Sequence, residues 1–176
     1  MNFRKTLLKH LIITSLFSWS PLALSENRSV NELIHQCLPS SHWHIMSSIV
    51  KIESNNQYYA IGVNVKPHKS YFPKTKKEAK KIIKLLIKQN KSFDIGLTSI
   101  NSTHFKKNNI FGRQGLTHYD ALEPCLNLKM GATIFSENYR HYKDIGKALS
   151  AYNTGNASRG FENGYIDRYI KLIEPN

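Results

Sequence analysis

An apolar segment near the amino terminus limits how much of the chain can form a folded domain. Three basic residues precede the mostly apolar stretch Leu11–Leu24, which ends in the small-x-small sequence Ala23-Leu24-Ser25. This pattern predicts a cleaved export signal at residues 1–25 rather than a membrane anchor, because a spanning helix needs roughly 18 or more apolar residues. Removing 25 of the 176 residues leaves 151, which suits one compact domain over residues 26–176.

Export would place this domain in the periplasm, and the compartment decides how its cysteines are interpreted. Cys37 and Cys125 are an even pair, and in an oxidising compartment such a pair predicts a disulfide. The alternative is a pair of inert buried thiols. Two thiols make a poor zinc shell, and none of the eight histidines forms an H-x-x-x-H or H-E-x-x-H motif, so we expect no metal site.

The exported chain would be strongly basic. Its formal net charge falls from +13 to +10 when the basic residues of the signal, Arg4, Lys5 and Lys9, are removed. Such a surface favours anionic partners, among which nucleic acid, anionic lipid and cell-wall polymer all qualify. An exported protein seldom meets nucleic acid, so we expect no nucleic-acid partner. The interrupted apolar run also predicts no stable membrane anchor.

A carboxylate lies on the apolar face of the first clear helical pattern. At about 100° per residue, one arc of the segment after Pro39-Ser40-Ser41 contains Trp43, Met46, Ile49, Val50 and Glu53. A carboxyl group on a core-facing stripe is desolvated, and its pKa should rise toward the range that suits proton donation at neutral pH. The alternative is a glutamate at a fraying helix end that faces water.

The other patterns predict a mainly α domain of the α+β kind with a short β excursion. Residues 58–65 are rich in aromatic and β-branched types, which favours a hairpin or an irregular strand. Periodicity and capping residues, among them Thr75, Asn101 and Thr117, predict helices over 75–89, 101–105, 117–122, 124–141 and 144–152, and a last helix with an apolar stripe formed by Tyr165, Tyr169, Leu172 and Ile173. No repeat or interdomain linker interrupts the pattern, so we expect a single compact helical domain.

The segment 76–89 has a basic face and an apolar face. Its apolar residues repeat with helical periodicity at Ala79, Ile82, Ile83, Leu86 and Ile87. Such a helix could lie on a membrane surface. We favour a helix that packs against the core and exposes a solvated lysine face, which is the commoner arrangement in a single small domain.

Few acidic residues are available for chemistry. Glycoside hydrolases often use two carboxylates, one of which donates a proton while the other attacks or activates water. Besides Glu53, the most interesting candidate is Asp94, which comes just before the Gly96-Leu97 turn. Asp120 and Glu123 lie among helix-start signals, where a negative charge suits the helix dipole.

Three short motifs follow one another along the chain. They are Ile52-Glu53-Ser54, Asp94-Ile95-Gly96-Leu97-Thr98-Ser99-Ile100-Asn101 and Ala148-Leu149-Ser150-Ala151-Tyr152-Asn153-Thr154-Gly155. In sequence and order they resemble soluble-lytic-transglycosylase domains. Two further stretches, residues 123–128 and 161–166, resemble the branch of that family that accompanies conjugation and type IV secretion machines. The resemblance covers roughly residues 33–173.

The resemblance implies a lysozyme-like, α-rich fold that cleaves peptidoglycan. Glu53 matches the family's single glutamate, which protonates the oxygen between N-acetylmuramic acid and N-acetylglucosamine. As a base it then takes the proton of the C6 hydroxyl, so that a 1,6-anhydro sugar forms. The substrate's acetamido group stabilises the intermediate, which accounts for the lack of an obvious second carboxylate. The resemblance implies no metal or organic cofactor.

The same resemblance implies a set of supporting residues and partners. The candidates for substrate binding or support are Ser54, Gly96, Leu97, Ser99, Asn101, Tyr152, Asn153 and Tyr165. Gly96 and Leu97 would shape the cleft wall, and Tyr152 and Asn153 would line the cleft and orient the glutamate. Each also has a plain structural alternative as a turn, capping or core residue. The implied partners are peptidoglycan strands and a secretion or conjugation machine; type IV secretion, type III secretion and pilus assembly are not distinguished.

The sequence departs from the family pattern at two places. Thr98 and Ser99 stand where the usual turn has methionine and glutamine, and Gly62 stands where many relatives carry a serine that contacts substrate. We expect altered glycan affinity, with the acid/base group untouched by either change. A true muramidase with Asp94 as partner carboxylate, or a weakly active wall-binding module, remain alternative functions.

Overall fold

The computed structural model describes residues 29–174, which fold into helices around a small sheet. Within this range the α-helices are α1 (Val30–Cys37), α2 (Trp43–Ser54), α3 (Lys76–Lys88), α4 (Pro124–Tyr142), α5 (Ile145–Thr154), α6 (Arg159–Glu162) and α7 (Tyr165–Ile173). Short 3-10 helices occupy Ser40–His42, Ser102–Phe105, Gly112–Gln114 and Asp120–Leu122. The mainly α fold class is confirmed. The expected export signal lies outside the described residues.

Local capping explains where most of these helices begin and end. The Thr75 hydroxyl accepts from the backbone N–H of Glu78 at 3.2 Å and starts α3, and Gly155 closes α5 with a left-handed φ of 69°. Helix α1 was not predicted from the sequence, although Ser29 and Glu32 form a reciprocal capping box there. Of the helices within residues 29–174, none has both the length and the apolar character that crossing a bilayer would require.

One predicted cap is wrong. Thr117 does not cap a helix, because the 3-10 helix starts only at Asp120. The Asp120 carboxylate instead reaches back and accepts from both the backbone N–H and the hydroxyl of Thr117 at 2.7 Å. The carboxylate is thus the acceptor of this turn, and the threonine is its donor.

The β excursion is larger than predicted. The strands are β1 (Ile61–Val63), β2 (Lys69–Tyr71), β3 (Phe93–Ile95) and β4 (Ile100–Asn101). They form one antiparallel sheet in the order β2-β1-β3-β4. Only β1 falls within the predicted stretch 58–65. The other three strands escaped prediction because alternation over two or three residues is too short to stand out from a turn. In this sheet Gly62 lies opposite Asp94.

The core has two parts that meet at the turn between β3 and β4. One part packs residues of α1, α2, α4, α5 and α7 together, and the other packs α3 against the sheet. Leu97 belongs to the first part, whereas Ile95 and Ile100 belong to the second. The turn therefore fixes the two parts relative to each other.

A disulfide cross-links the helical part of the core, and the last helix of that part is only partly covered. Cys37 and Cys125 form the predicted disulfide, which joins the end of α1 to the first turn of α4. The predicted apolar stripe of α7 holds only at its start: Tyr165 is fully buried, but Leu172 and Ile173 are 45% and 52% exposed. No described element packs over the last turn of α7 closely enough to bury those two side chains.

Candidate active site

A polar cleft of about 550 Å³ opens between the sheet and α5. Six of the residues that the sequence analysis named for chemistry or binding line it, namely Glu53, Asp94, Ser99, Asn101, Tyr152 and Asn153. They come from the end of α2, from β3, β4 and the turn between them, and from α5. The fold thus brings together side chains that lie up to 100 residues apart in sequence.

Glu53 projects into this cleft from the last turn of α2. The helix stops two residues later at Asn55, which has a left-handed φ of 50°. The Tyr165 hydroxyl donates to Glu53 Oε1 at 2.8 Å. The Ser99 hydroxyl donates to the Glu53 backbone carbonyl oxygen at 3.3 Å and also interacts with the carboxyl group. The glutamate is therefore held from two sides and still faces the cleft.

Burial gives this carboxyl group unusual proton chemistry. It raises the pKa of Glu53 from 4.5 to about 7, against the opposing hydrogen bonds from Tyr165 and Ser99. The negative charge of Asp94 also raises this pKa, and the positive charge of Arg168 lowers it. A pKa near neutrality leaves both the protonated and the ionised form accessible, so one group can serve as acid and as base.

Tyr165 is placed to donate a hydrogen bond to Glu53 whether the carboxyl group is protonated or ionised. It is the first residue of α7 and fully buried. Burial and the neighbouring Glu53 charge raise the pKa of its phenol, so the hydroxyl keeps its proton. Arg168, one turn further along α7, lies with its guanidinium 5.5 Å from the Tyr165 ring centre. Arg168 was not predicted as a site residue, because its approach to the site depends on how α7 packs on α2.

A buried asparagine of α4, Asn127, shapes the turn that carries Ser99. The Asn127 Oδ1 accepts from the backbone N–H and the hydroxyl of Thr98 at 2.9 and 2.8 Å. Its Nδ2 donates to the carbonyl oxygens of Ile95 and Ala121 at 2.9 and 2.8 Å. Tyr152 completes this network by donating its hydroxyl to the Thr98 carbonyl oxygen at 2.7 Å. Asn127 is the positioning residue that the sequence analysis did not identify.

Besides Tyr165, three of the candidate residues lie beside the cleft without lining it. Leu97 is fully buried in the core, and Gly96 packs against the Asn127 side chain, so neither forms the cleft wall. The Ser54 hydroxyl donates to the Val50 carbonyl oxygen of its own helix at 3.0 Å. These residues build the frame of the site, since their polar or apolar groups are used internally.

The expectation that the altered turn leaves the acid/base group untouched is wrong. Thr98 is fully buried and contacts Asn127, but Ser99 contacts Glu53 directly. Ser99 also has a left-handed φ of 49°, which turns its side chain toward the end of α2. A serine at this position therefore acts on the glutamate as well as on the cleft surface.

Gly96→Ala should destabilise the protein by at least about 3 kcal/mol. Gly96 has a φ of 79°, and a β carbon there would overlap the Asn127 amide. The substitution therefore adds backbone strain and also displaces buried hydrogen bonds. Urea unfolding followed by circular dichroism measures the change in the free energy of unfolding.

Gly115→Ala is the matched control for that measurement. Gly115 has a similar φ of 75°, but nothing lies within 4 Å of the β carbon it would gain. Only the backbone cost of about 1 kcal/mol should remain. Equal losses in the two variants would show that the contact with Asn127 is unimportant for stability.

Asp94 and its neighbours form the side of the cleft opposite α5. Asn101 donates its Nδ2 to Asp94 Oδ1 at 2.6 Å, and its own Oδ1 accepts from the backbone N–H of Thr103 at 2.9 Å. Burial raises the pKa of Asp94. A β carbon at Gly62 would lie 3.8 Å from Asp94 Oδ2, which is an ordinary van der Waals contact. Within residues 29–174, no three His, Cys, Asp or Glu residues cluster closely enough to hold a metal ion.

A helical domain whose cleft holds one half-buried glutamate beside a small antiparallel sheet defines a lysozyme-like protein. The family described as Transglycosylase SLT domain matches residues 35–169. The chain belongs to this family.

Several characterised proteins are similar to the chain. "Protein virB1" of Agrobacterium fabrum is 28% identical over 154 residues, which cover 84% of this chain and 59% of the relative. "Type IV secretion system protein virB1" of Brucella abortus is 32% identical over 139 residues, 74% of this chain and 56% of the relative. "Invasion protein IagB" of Salmonella typhimurium is 33% identical over 86 residues, 48% of this chain and 51% of the relative. The chain thus spans between half and two-thirds of these relatives' lengths, and no solved structure matches it significantly.

Proposed function

We propose that the chain is a peptidoglycan lytic transglycosylase in which Glu53 is both the acid and the base. One observation carries the proposal: a single carboxyl group with a pKa of about 7 faces the cleft, and the Tyr165 hydroxyl donates a hydrogen bond to it. The family match supports the substrate class. No second free carboxylate is required, because the substrate supplies the group that stabilises the intermediate.

The reaction divides into two steps that use the same side chain. Protonated Glu53 first gives its proton to the glycosidic oxygen, and the bond from that oxygen to C1 of N-acetylmuramic acid breaks. The acetamido oxygen of the same sugar attacks C1 and takes up the positive charge. The Glu53 carboxylate then removes the proton of the C6 hydroxyl, and O6 displaces the acetamido oxygen from C1. The product is a 1,6-anhydro sugar, no water is consumed, and Glu53 ends protonated as it began.

Two features of the site support this route over a hydrolase with Asp94 as second carboxylate. Burial raises the pKa of Asp94, which disfavours the charged form that would stabilise a cationic sugar carbon. Asn101 also occupies Asp94 Oδ1 with a hydrogen bond of 2.6 Å. Asp94 is better suited to accept hydrogen bonds within the cleft wall than to attack the sugar.

Digestion of purified sacculi followed by mass spectrometry of the fragments tests the proposed chemistry. Wild-type protein should release fragments with anhydro ends, which are lighter than hydrolysed ends by the mass of one water molecule. Asp94→Asn should give the same ends at a rate within about tenfold of the wild type, since it does not transfer the proton. Reducing ends, together with near-complete loss of activity in Asp94→Asn, would establish the hydrolase instead.

We further propose that the enzyme acts in the cell envelope, where it opens the wall locally for a secretion or conjugation machine. The relatives include proteins named for type IV secretion, and residues 1–25 carry the features of an export signal. Under this proposal the domain of residues 26–176 works in the periplasm. Binding of the wild type to sacculi without release of any fragment would favour a wall-binding module.

A further inference from the structure

The outward face of α3 carries a dense set of positive charges. Six of the helix's 13 residues are lysines, namely Lys76, Lys77, Lys80, Lys81, Lys84 and Lys88. At about 100° per residue they share one arc of roughly 140°. The core-facing residues Ala79, Ile83 and Leu86 are buried on another arc, which confirms the predicted core-packed helix.

The fold leaves most of these charges unpaired. Five of the lysines and Tyr119 surround an open hollow of about 690 Å³. Lys76 forms an ion pair with Glu123, whereas the other lysines of α3 form no ion pair with any described residue. The one acid of the helix, Glu78, accepts a hydrogen bond from the backbone N–H of Lys74 at 3.0 Å. The hollow is therefore strongly cationic and open to a ligand.

Of the two exposed apolar side chains of α3, Ile87 lies within the lysine arc and Leu85 lies about 40° beyond its edge at Lys81. Leu85 is 52% exposed and Ile87 is 39% exposed. The apolar periodicity of the segment groups Ile87 with the core-facing residues, but on a helical wheel Ile87 falls between Lys76 and Lys80. A face that mixes lysines with exposed aliphatic residues matches a bilayer interface, where the ammonium groups meet phosphates and the apolar groups reach the acyl boundary. A purely polar polyanion would leave Leu85 and Ile87 without a partner.

We infer that the lysine face of α3 docks the protein onto an anionic phospholipid surface. Each lysine near an anionic bilayer raises partitioning about fivefold, and several lysines act together here. No residue of α3 lines the candidate active-site cleft, so docking through α3 occupies none of the residues proposed to bind glycan. Docking would hold the enzyme at a membrane without a spanning segment.

Lysine acetylation read by mass spectrometry tests the inference at the level of single residues. The full chain is labelled with phosphatidylcholine vesicles, with vesicles that also contain phosphatidylglycerol, and without vesicles. Phosphatidylglycerol vesicles should protect Lys80, Lys81 and Lys84, and phosphatidylcholine vesicles should not. The exposed Lys106 and Lys107 serve as internal controls that stay reactive. Equal reactivity of the α3 lysines in all samples would overturn the inference.

Charge reversal distinguishes the contribution of the α3 lysines to vesicle binding from that of the protein's overall basic charge. The triple variant Lys80→Glu/Lys81→Glu/Lys84→Glu should bind phosphatidylglycerol vesicles at least about a hundredfold more weakly. The matched control reverses the exposed Lys106, Lys107 and Lys147, and it changes net charge equally. If both triples lose the same affinity, the effect is one of net charge and the inference fails. Circular dichroism confirms that each variant is folded.

The apolar residues distinguish a membrane from another polyanion. Leu85→Ser/Ile87→Ser should weaken binding to phosphatidylglycerol vesicles several-fold and leave binding to soluble polyphosphate unchanged. If the double variant binds vesicles like the wild type, and polyphosphate protects the α3 lysines equally well, the face is a general polyanion site. That result would overturn the membrane assignment.

Discussion

Glu53→Gln should reduce the release of fragments from purified sacculi by about a thousandfold or more. General acid or base catalysis contributes about 10² to 10⁴-fold in a single step, and under the proposed mechanism Glu53 serves in both steps. Glutamine has nearly the same size, and its Oε1 can still accept from the Tyr165 hydroxyl, which now lies 2.8 Å from the carboxylate. The loss is measured from initial rates of fragment release by wild type and variant.

For the test to be informative, Glu53→Gln must lose catalytic activity and keep its stability and its affinity for sacculi. Glu53→Gln should bind sacculi as tightly as the wild type and unfold at least as late in urea. Ser99→Ala is the matched control in the cleft, since it removes a hydrogen-bond donor that contacts Glu53 and leaves the acid in place. Its activity should exceed that of Glu53→Gln by orders of magnitude. Undiminished release of fragments by Glu53→Gln would refute the proposed function.

The position of Glu53 could be predicted because it obeys a simple physical rule. A charged residue on the apolar arc of a helix must be desolvated, and its pKa must respond. The structure places Glu53 on that side of α2 and confirms the raised pKa. A related rule applies to Asn127, which shares an arc of α4 with Gly131 and Phe135. Its amide does not titrate, but a polar group on a buried arc must find hydrogen-bond partners. There the signal was present in the sequence and was not used.

Other parts of the site had no signal in the sequence. The contact between Ser99 and Glu53 joins residues 46 positions apart, and it exists only because the turn between β3 and β4 takes left-handed conformations at Gly96 and Ser99. The strands flanking the turn are too short to show alternation. Arg168 approaches the glutamate only through the packing of α7 on α2. Periodicity predicts individual helices and cannot predict which of their ends will meet.

The helices were predicted well for the same physical reason. Apolar periodicity and capping act within a few residues, so the bounds of α3 and α4 follow from Thr75 and Pro124. Where a side chain bonds in an unexpected direction, as Asp120 does toward Thr117, the local rule fails. The predicted burial of Ile87 fails for a similar reason. Whether this side chain is covered depends on where the rest of the chain packs.

The free energy of unfolding should reveal the raised pKa of Glu53 through its dependence on pH. The pKa is about 7 in the folded protein and near 4.5 when the chain is unfolded. Between these values the folded state binds more protons than the unfolded state, so stability falls as pH rises. The stabilising contribution is complete below about pH 4.5 and lost once the pH passes 7. The shift corresponds to about 2 to 3 kcal/mol, since the carboxyl group keeps partial access to the cleft.

Comparison with Glu53→Gln isolates this contribution from that of every other titrating group. Asp94, Tyr165 and Arg168 surround the side chain of residue 53 in both proteins, so their own titrations largely cancel in the difference. In urea unfolding at a series of pH values, the variant should gain about 2 to 3 kcal/mol over the wild type between pH 4 and pH 8. A constant difference across this range would mean that the glutamate ionises as it does in water. A carboxyl group of that kind would not stay protonated at neutral pH between reactions, and the double use of Glu53 would lose its physical basis.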